Sequence, residues 1–262
     1  MSDKRPAEAE AEAEAEAEAA LPAVPAVPAV RAPPWTRWPW NIAAPLVIVD
    51  IVLVGGLAPE GSVLAHPGGA RYLLAPLVPL MTYAAAIAFT TREGEARPWL
   101  PIAIRDGAIA GVVTGAMWIG SLTIETFAGL SGWASIAATA PLLLGAFAIW
   151  AAAGAVAAQR HDSIPSDVVG AVTAATICVA ATIAFGLALA YIALPTLERN
   201  INGSPEYLAS HWGDLHAFAI ANTLDAACQH LVIAPLIAAF VGALGALFVR
   251  RLPPTLTSKL AR

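Results

Sequence analysis

Six hydrophobic runs, with nearly all the lysines and arginines gathered in alternate gaps between them, constrain this chain more than any other feature. Each run is long enough to cross a hydrocarbon core of about 30 Å. If the first residue lies in the cytoplasm, 12 of the 14 Lys+Arg fall on the cytoplasmic side, and only Arg71 and Arg199 fall outside. By segment, the cytoplasmic stretches hold four, three, one and four, and the external loops hold one, zero and one. Orientation follows Lys and Arg near the span ends rather than net charge. The sequence therefore predicts an all-α, polytopic transmembrane bundle of about six helices with both termini cytoplasmic, in the inner (cytoplasmic) membrane. Composition agrees: 58% of the residues are hydrophobic and 13% charged, where a soluble domain carries roughly 25% charged residues.

The net charge of −5 belongs to the first 30 residues, which hold Asp3 and six glutamates against Lys4 and Arg5. Glutamate at every second position over 8–18 sets like charges at i and i+4, which opposes a helix. Three Pro-Ala-Val copies follow, then Trp35, Trp38 and Trp40 beside Arg37. This pattern predicts a disordered acidic tail, a polyproline-like spacer and an interfacial tryptophan belt over 1–40. A membrane domain over 41–249 and a basic tail over 250–262 complete the expected organisation. No basic start with a short apolar core reads as a cleavable signal. Cys178 and Cys228 both lie in apolar runs, so neither a disulfide staple nor a CxxC motif is expected.

The expected spans cover about 41–58, 72–91, 107–130, 134–158, 167–194 and 214–249. Pro76 and Pro79 read as first-turn prolines. Ser166 is a candidate cap, Pro195 an end, and Ser204-Pro205-Glu206 a helix start. At ~1.5 Å per residue the last run exceeds 50 Å, so it must project, break or tilt, with Pro235 as a kink. Gly107, Gly111 and Gly115, with Gly145, Gly154, Gly242 and Gly245, read as small-residue stripes that let helix backbones meet within one chain. Residues 111–124 match 170–183 at an offset of 59, but Gly, Ala, Val and Thr dominate every span, so the match carries little.

Ionisable groups inside spans cost about 2.5–3.5 kcal/mol each on insertion scales. Asp50 falls close to the midplane. It must be neutral, or face a cavity, or find a partner. Glu125 and His230 fall at a similar, outer depth on different helices. Asn222, Asp225 and Gln229 follow at i, i+3 and i+7. These six residues are the candidates for ion binding, solute binding or proton relay, with Glu125 and His230 as partners and Asp225 and Gln229 at the mouth. His211, Asp214 and His216 form a weak metal candidate: the histidines are five apart and Gly213 intervenes. No Walker loop, dinucleotide fingerprint, nucleophile elbow or HExxH occurs. No large basic face for nucleic acid is present, and no cofactor is indicated. The leading expectation is a non-enzymatic membrane protein that transports a small solute or ion, or serves a transporter as a subunit. Its partners would be the bilayer and either other membrane proteins or further copies of itself. The alternative is a structural or assembly subunit of a membrane complex. A third is a membrane enzyme with the external metal site.

Overall fold

The computed structural model describes residues 38–60, 63–93, 97, 99–130, 132–161 and 164–251. The acidic tail, the Pro-Ala-Val run and the basic tail beyond Arg251 lie outside these residues, and with them the sequence expectations for those segments. Eight helices appear among the described residues: α1 (Trp38–Glu60), α2 (Ala70–Glu93), α3 (Trp99–Phe127), α4 (Trp133–His161), α5 (Ile164–Ile192), α6 (Leu194–Ile201), α7 (Pro205–Ser210) and α8 (Leu215–Arg251). Six of them, α1 to α5 and α8, are long and apolar enough to cross a membrane. A lipid core offers no hydrogen bonds, so each spanning segment must satisfy its backbone internally, and a helix does so within one segment.

Neighbouring contacts fix the direction of every span. Gly107 meets Gly170 and Thr173, Gly111 meets Ala174 and Ile177, and Gly115 meets Cys178 and Ala181. Both numbers rise together, so α3 and α5 are parallel. Trp150 Nε1 donates to Thr114 Oγ1 at 3.2 Å while Gly120 approaches Leu142, so α4 is antiparallel to α3. Gly242 abuts Ala171 and Arg250 pairs with Asp167 at 2.8 Å, so α8 is antiparallel to α5. Ala43 packs in one small cluster with Ile177, and the Tyr191 hydroxyl donates to Leu53 O at 3.0 Å, so α1 runs with α5. Tyr72 meets Trp212 edge-on just ahead of α8 and the Tyr83 hydroxyl bonds Leu231 O, so α2 runs with α8, and the spans alternate. One end of the bundle gathers the start of α1 and the end of α8; the other gathers α6, α7 and the 63–69 turn.

The packing centre is α5, which touches α3, α4, α8 and α1. Its small face explains why. Ala171, Ala174, Ala175, Cys178 and Ala180 are all buried, and a Cβ added to Gly111 would lie 2.7 Å from Ala174 O. In lipid the apolar effect does not separate one helix face from another, so close backbone approach sets the interfaces. Gly154 against Gly242, and Gly245 against Ala151, do the same for α4 and α8. The pair α1–α2 packs outside this group, α1 on α5 and α2 on α8. Large side chains such as Leu74, Val78, Met81 and Phe89 on α2 point outward, where lipid would cover them.

Several expected boundaries shift. The third span opens at Trp99, two turns ahead of Gly107. The fifth ends at Ile192, and Pro195 stands near the start of α6 instead of closing the span. Pro76 and Pro79 lie inside α2, past its first turn. The last helix runs unbroken for 37 residues through Pro235, or ~55 Å at 1.5 Å per residue. Its excess length projects: Ala217 to Ala221 are buried, with α6 packed on the helix and Trp212 and Tyr207 against Phe218. Pro235 has no N–H for the carbonyl of Leu231, one turn back. The hydroxyl of Tyr83 on α2 donates to that carbonyl instead.

Candidate functional site

The loop-facing half of the bundle opens into a cavity of about 470 Å³. Three helices wall it. α3 supplies Ser121, Leu122, Glu125 and Thr126; α5 supplies Thr182, Ile183, Gly186 and Leu187; α8 supplies Asn222, Thr223, Ala226 and His230. It exists because α3 and α8 pack mainly on α5 and α4 and touch each other little. Their aromatic residues fill the space lower down. The Trp118 ring lies 5.6 Å from Trp150, 6.2 Å from Phe147 and 5.9 Å from the His230 imidazole. Below this floor the glycine contacts close the bundle.

A roof covers the cavity. α6 contributes Leu197, Asn200 and Ile201 to the lining. Asn200 Nδ2 donates to Thr126 O at 3.2 Å, tying α6 to the end of α3. Glu198 Oε1 lies 2.8 Å from His216 Nδ1, tying α6 to α8. Neither tie was legible in the sequence, because α6 is a short helix in a polar stretch whose place the hydropathy pattern does not fix.

Three of the six candidates meet here: Glu125, Asn222 and His230 line the cavity and keep substantial exposure. Glu125 and His230 do not pair as expected. Ser121 Oγ donates to Glu125 Oε1 at 3.4 Å, while His230 Nδ1 lies 2.7 Å from Ala226 O. The imidazole sits at the floor beside Trp118, and the carboxylate stands two turns nearer the loops on the same helix as that tryptophan. Counting residues back from Val249 overestimates the depth of His230 relative to α3. Asp225 and Gln229 do not line the cavity. Gln229 Nε2 donates to Asp225 Oδ2 at 2.7 Å, on the flank of α8 beside the cavity-lining residues.

Asp50 stands apart. It is fully buried, in the stripe Ala43, Val47, Asp50, Val54 and Leu57 along α1. Val47, Val54 and Leu57 belong to the main apolar core with Leu80, Ile183 and Leu187. Neither carboxyl oxygen has a hydrogen-bond partner among the described residues. The cavity lining does not include it.

The three metal candidates are apart in role. His211 takes a left-handed conformation, φ 56°, and ends α7. Asp214 caps α8, accepting from His216 N at 2.9 Å and Ala217 N at 3.2 Å. His216 faces Glu198. Among the described residues no three His, Cys, Asp or Glu side chains are grouped to hold a metal.

The opposite end carries ion pairs that the charge count treated only as topology markers. Arg160 pairs with Asp106, which also takes Arg105 at 2.7 Å. The buried Asp167 takes Arg250. These link α3 to α4 and α5 to α8 where the helices leave the apolar layer. No family model, no curated protein and no solved structure matches this chain. Fold and composition establish a polytopic membrane protein; its described spans enclose a largely apolar cavity with a few polar side chains, and a buried carboxyl at Asp50 without a hydrogen-bond partner among the described residues.

Proposed function

We propose that the protein is a small non-catalytic carrier that binds a solute in the cavity between α3, α5 and α8 and passes it across the cytoplasmic membrane. The observation that carries this reading is the cavity itself. Its volume lies in the range of small-molecule sites, and it sets a carboxylate, two amides, an imidazole and hydroxyls inside a helix bundle. Polar groups at that depth are costly unless they face water or a ligand. The Lys+Arg distribution supports cytoplasmic termini, so the roofed end faces outward. Trp118, Phe147 and Trp150 close the path below the cavity, and passage requires this floor to move.

The close apolar packing around Asp50 favours a second reading, in which the bundle is a structural subunit. Proteoliposome uptake of radiolabelled solutes of cationic, neutral and anionic type separates the two. The carrier predicts saturable uptake of at least one class above protein-free liposomes, lost when Ala226→Phe fills the cavity. Uptake equal to protein-free liposomes for every class supports the structural subunit.

A further inference from the structure

Resting on that reading, we propose that the cavity selects an amphipathic organic cation, a primary ammonium on an apolar body. The charge balance points there first. Glu125 is the one acidic side chain of the lining, and among the described residues no lysine or arginine lines it. The nearest candidate cation on the roof is turned away: Arg199 bonds Thr196 Oγ1 at 3.1 Å on its own helix and is absent from the lining. An anion placed here would meet a carboxylate and no lysine or arginine.

Of the three wall helices, α3 and α5 end at the roofed end, at Phe127 and Ile192, with partial negative charge, and α8 begins there at Leu215 with partial positive charge, so the side chains set the sign of the site. Side-chain oxygens complete a cradle for an ammonium. Ser121 Oγ engages only Oε1 of Glu125, and the Asn222 amide faces the same space. An ammonium has three donors and no acceptor, which suits this oxygen-rich upper wall.

Apart from His230 and Thr182, the lower cavity is apolar. Leu122, Leu143, Ile183 and Leu187 surround it above the Trp118 ring. A fully polar cation would lose hydration there without compensation. A cation carrying an aryl or alkyl body would place that body against these side chains and keep its charged end at Glu125. The cavity is also unevenly walled: α4 contributes only Leu143 to the lining. The exposed flanks of Glu125 and Asn222 leave an entry at the outer rim of the span, where amphipathic amines gather at the lipid surface.

The test uses purified full-length protein in nanodiscs and three probes of one shape: phenethylammonium, 2-phenylethanol and 3-phenylpropionate. Equilibrium dialysis of each is read for wild type, Glu125→Gln and Ala226→Phe, with melting temperature confirming that each variant is folded. The expected result is one phenethylammonium per chain, bound at least tenfold tighter than either other probe. Glu125→Gln should weaken it at least tenfold without changing 2-phenylethanol binding, and Ala226→Phe should remove all three. Equal or tighter binding of 3-phenylpropionate, still lost in Ala226→Phe, would overturn the cation assignment and leave the cavity as a solute site. Undiminished phenethylammonium binding to folded Glu125→Gln would overturn it too. Absence of binding by all three probes would overturn the cavity reading itself.

Discussion

Asp50 was visible in the sequence because a carboxyl interrupts an apolar run near its middle. Its surroundings were not visible, because they come from α5 and α2, far away in the chain. The structure gives it neither cavity nor partner among the described residues. A buried polar group without hydrogen bonds costs about 1–3 kcal/mol, and replacing it by an apolar side chain of similar shape recovers that cost. Asp50→Leu should therefore raise the melting temperature, by the equivalent of roughly 1–3 kcal/mol. Thermal unfolding in detergent checks this; a lowered midpoint would mean that the carboxyl has a stabilising partner. Glu125, Asn222 and His230 were legible as polar residues at outer depth. Asp225 and Gln229 were drawn in with them because helical spacing defines a broad sector of α8, and only packing decides which flank of that sector faces α3.

At the scale of elements, backbone proximity organises this bundle. The glycine stripe of α3 was readable as a packing face, but its partner α5 was not, since every span is rich in small residues. A Cβ at Gly111 would lie 2.7 Å from Ala174 O and 2.9 Å from Ile177 Cβ. Gly111→Val should force α3 from α5 and cost about 1–3 kcal/mol or more. Gly55 has nothing within 4 Å of the same probe position, so Gly55→Ala should be neutral or stabilising by about 0.5–1 kcal/mol. Melting of both variants checks the contrast, and equal effects would contradict the packing. The Tyr83–Leu231 bond yields a sharper test. Tyr83→Phe leaves the Leu231 carbonyl without its donor and should cost about 1–2 kcal/mol. In a Pro235→Ala background, the restored N–H at 235 can serve that carbonyl, so the same change should cost much less. A double-mutant cycle with no coupling would refute the assignment.

For the whole molecule, span number and alternating direction followed from hydropathy and the positive-residue pattern, while the roof did not. α6 and α7 lie in a polar stretch with no sustained period. Their positions depend on Asn200, Glu198 and the Ser204 cap, whose Oγ accepts from Tyr207 N at 3.1 Å. The topology predicts that a cysteine at 204 reacts with an impermeant maleimide from outside and one at 159 only from the cytoplasm, in a background lacking Cys178 and Cys228. Reversed sidedness would invert the orientation, with the cavity then facing inward.

A carrier must expose one site to both sides in turn, whereas a structural subunit with a fixed aromatic floor exposes it to one. Thr182 lines the cavity on α5 and is half-buried. In the same cysteine-free background, Thr182→Cys in oriented membrane vesicles is the most direct probe of that difference. Impermeant maleimide added separately to each face, with phenethylammonium present or absent, reads the access. The carrier reading predicts modification from both faces, with the balance between them shifted by the probe. Modification from the roofed face alone, unchanged by the probe, would contradict it.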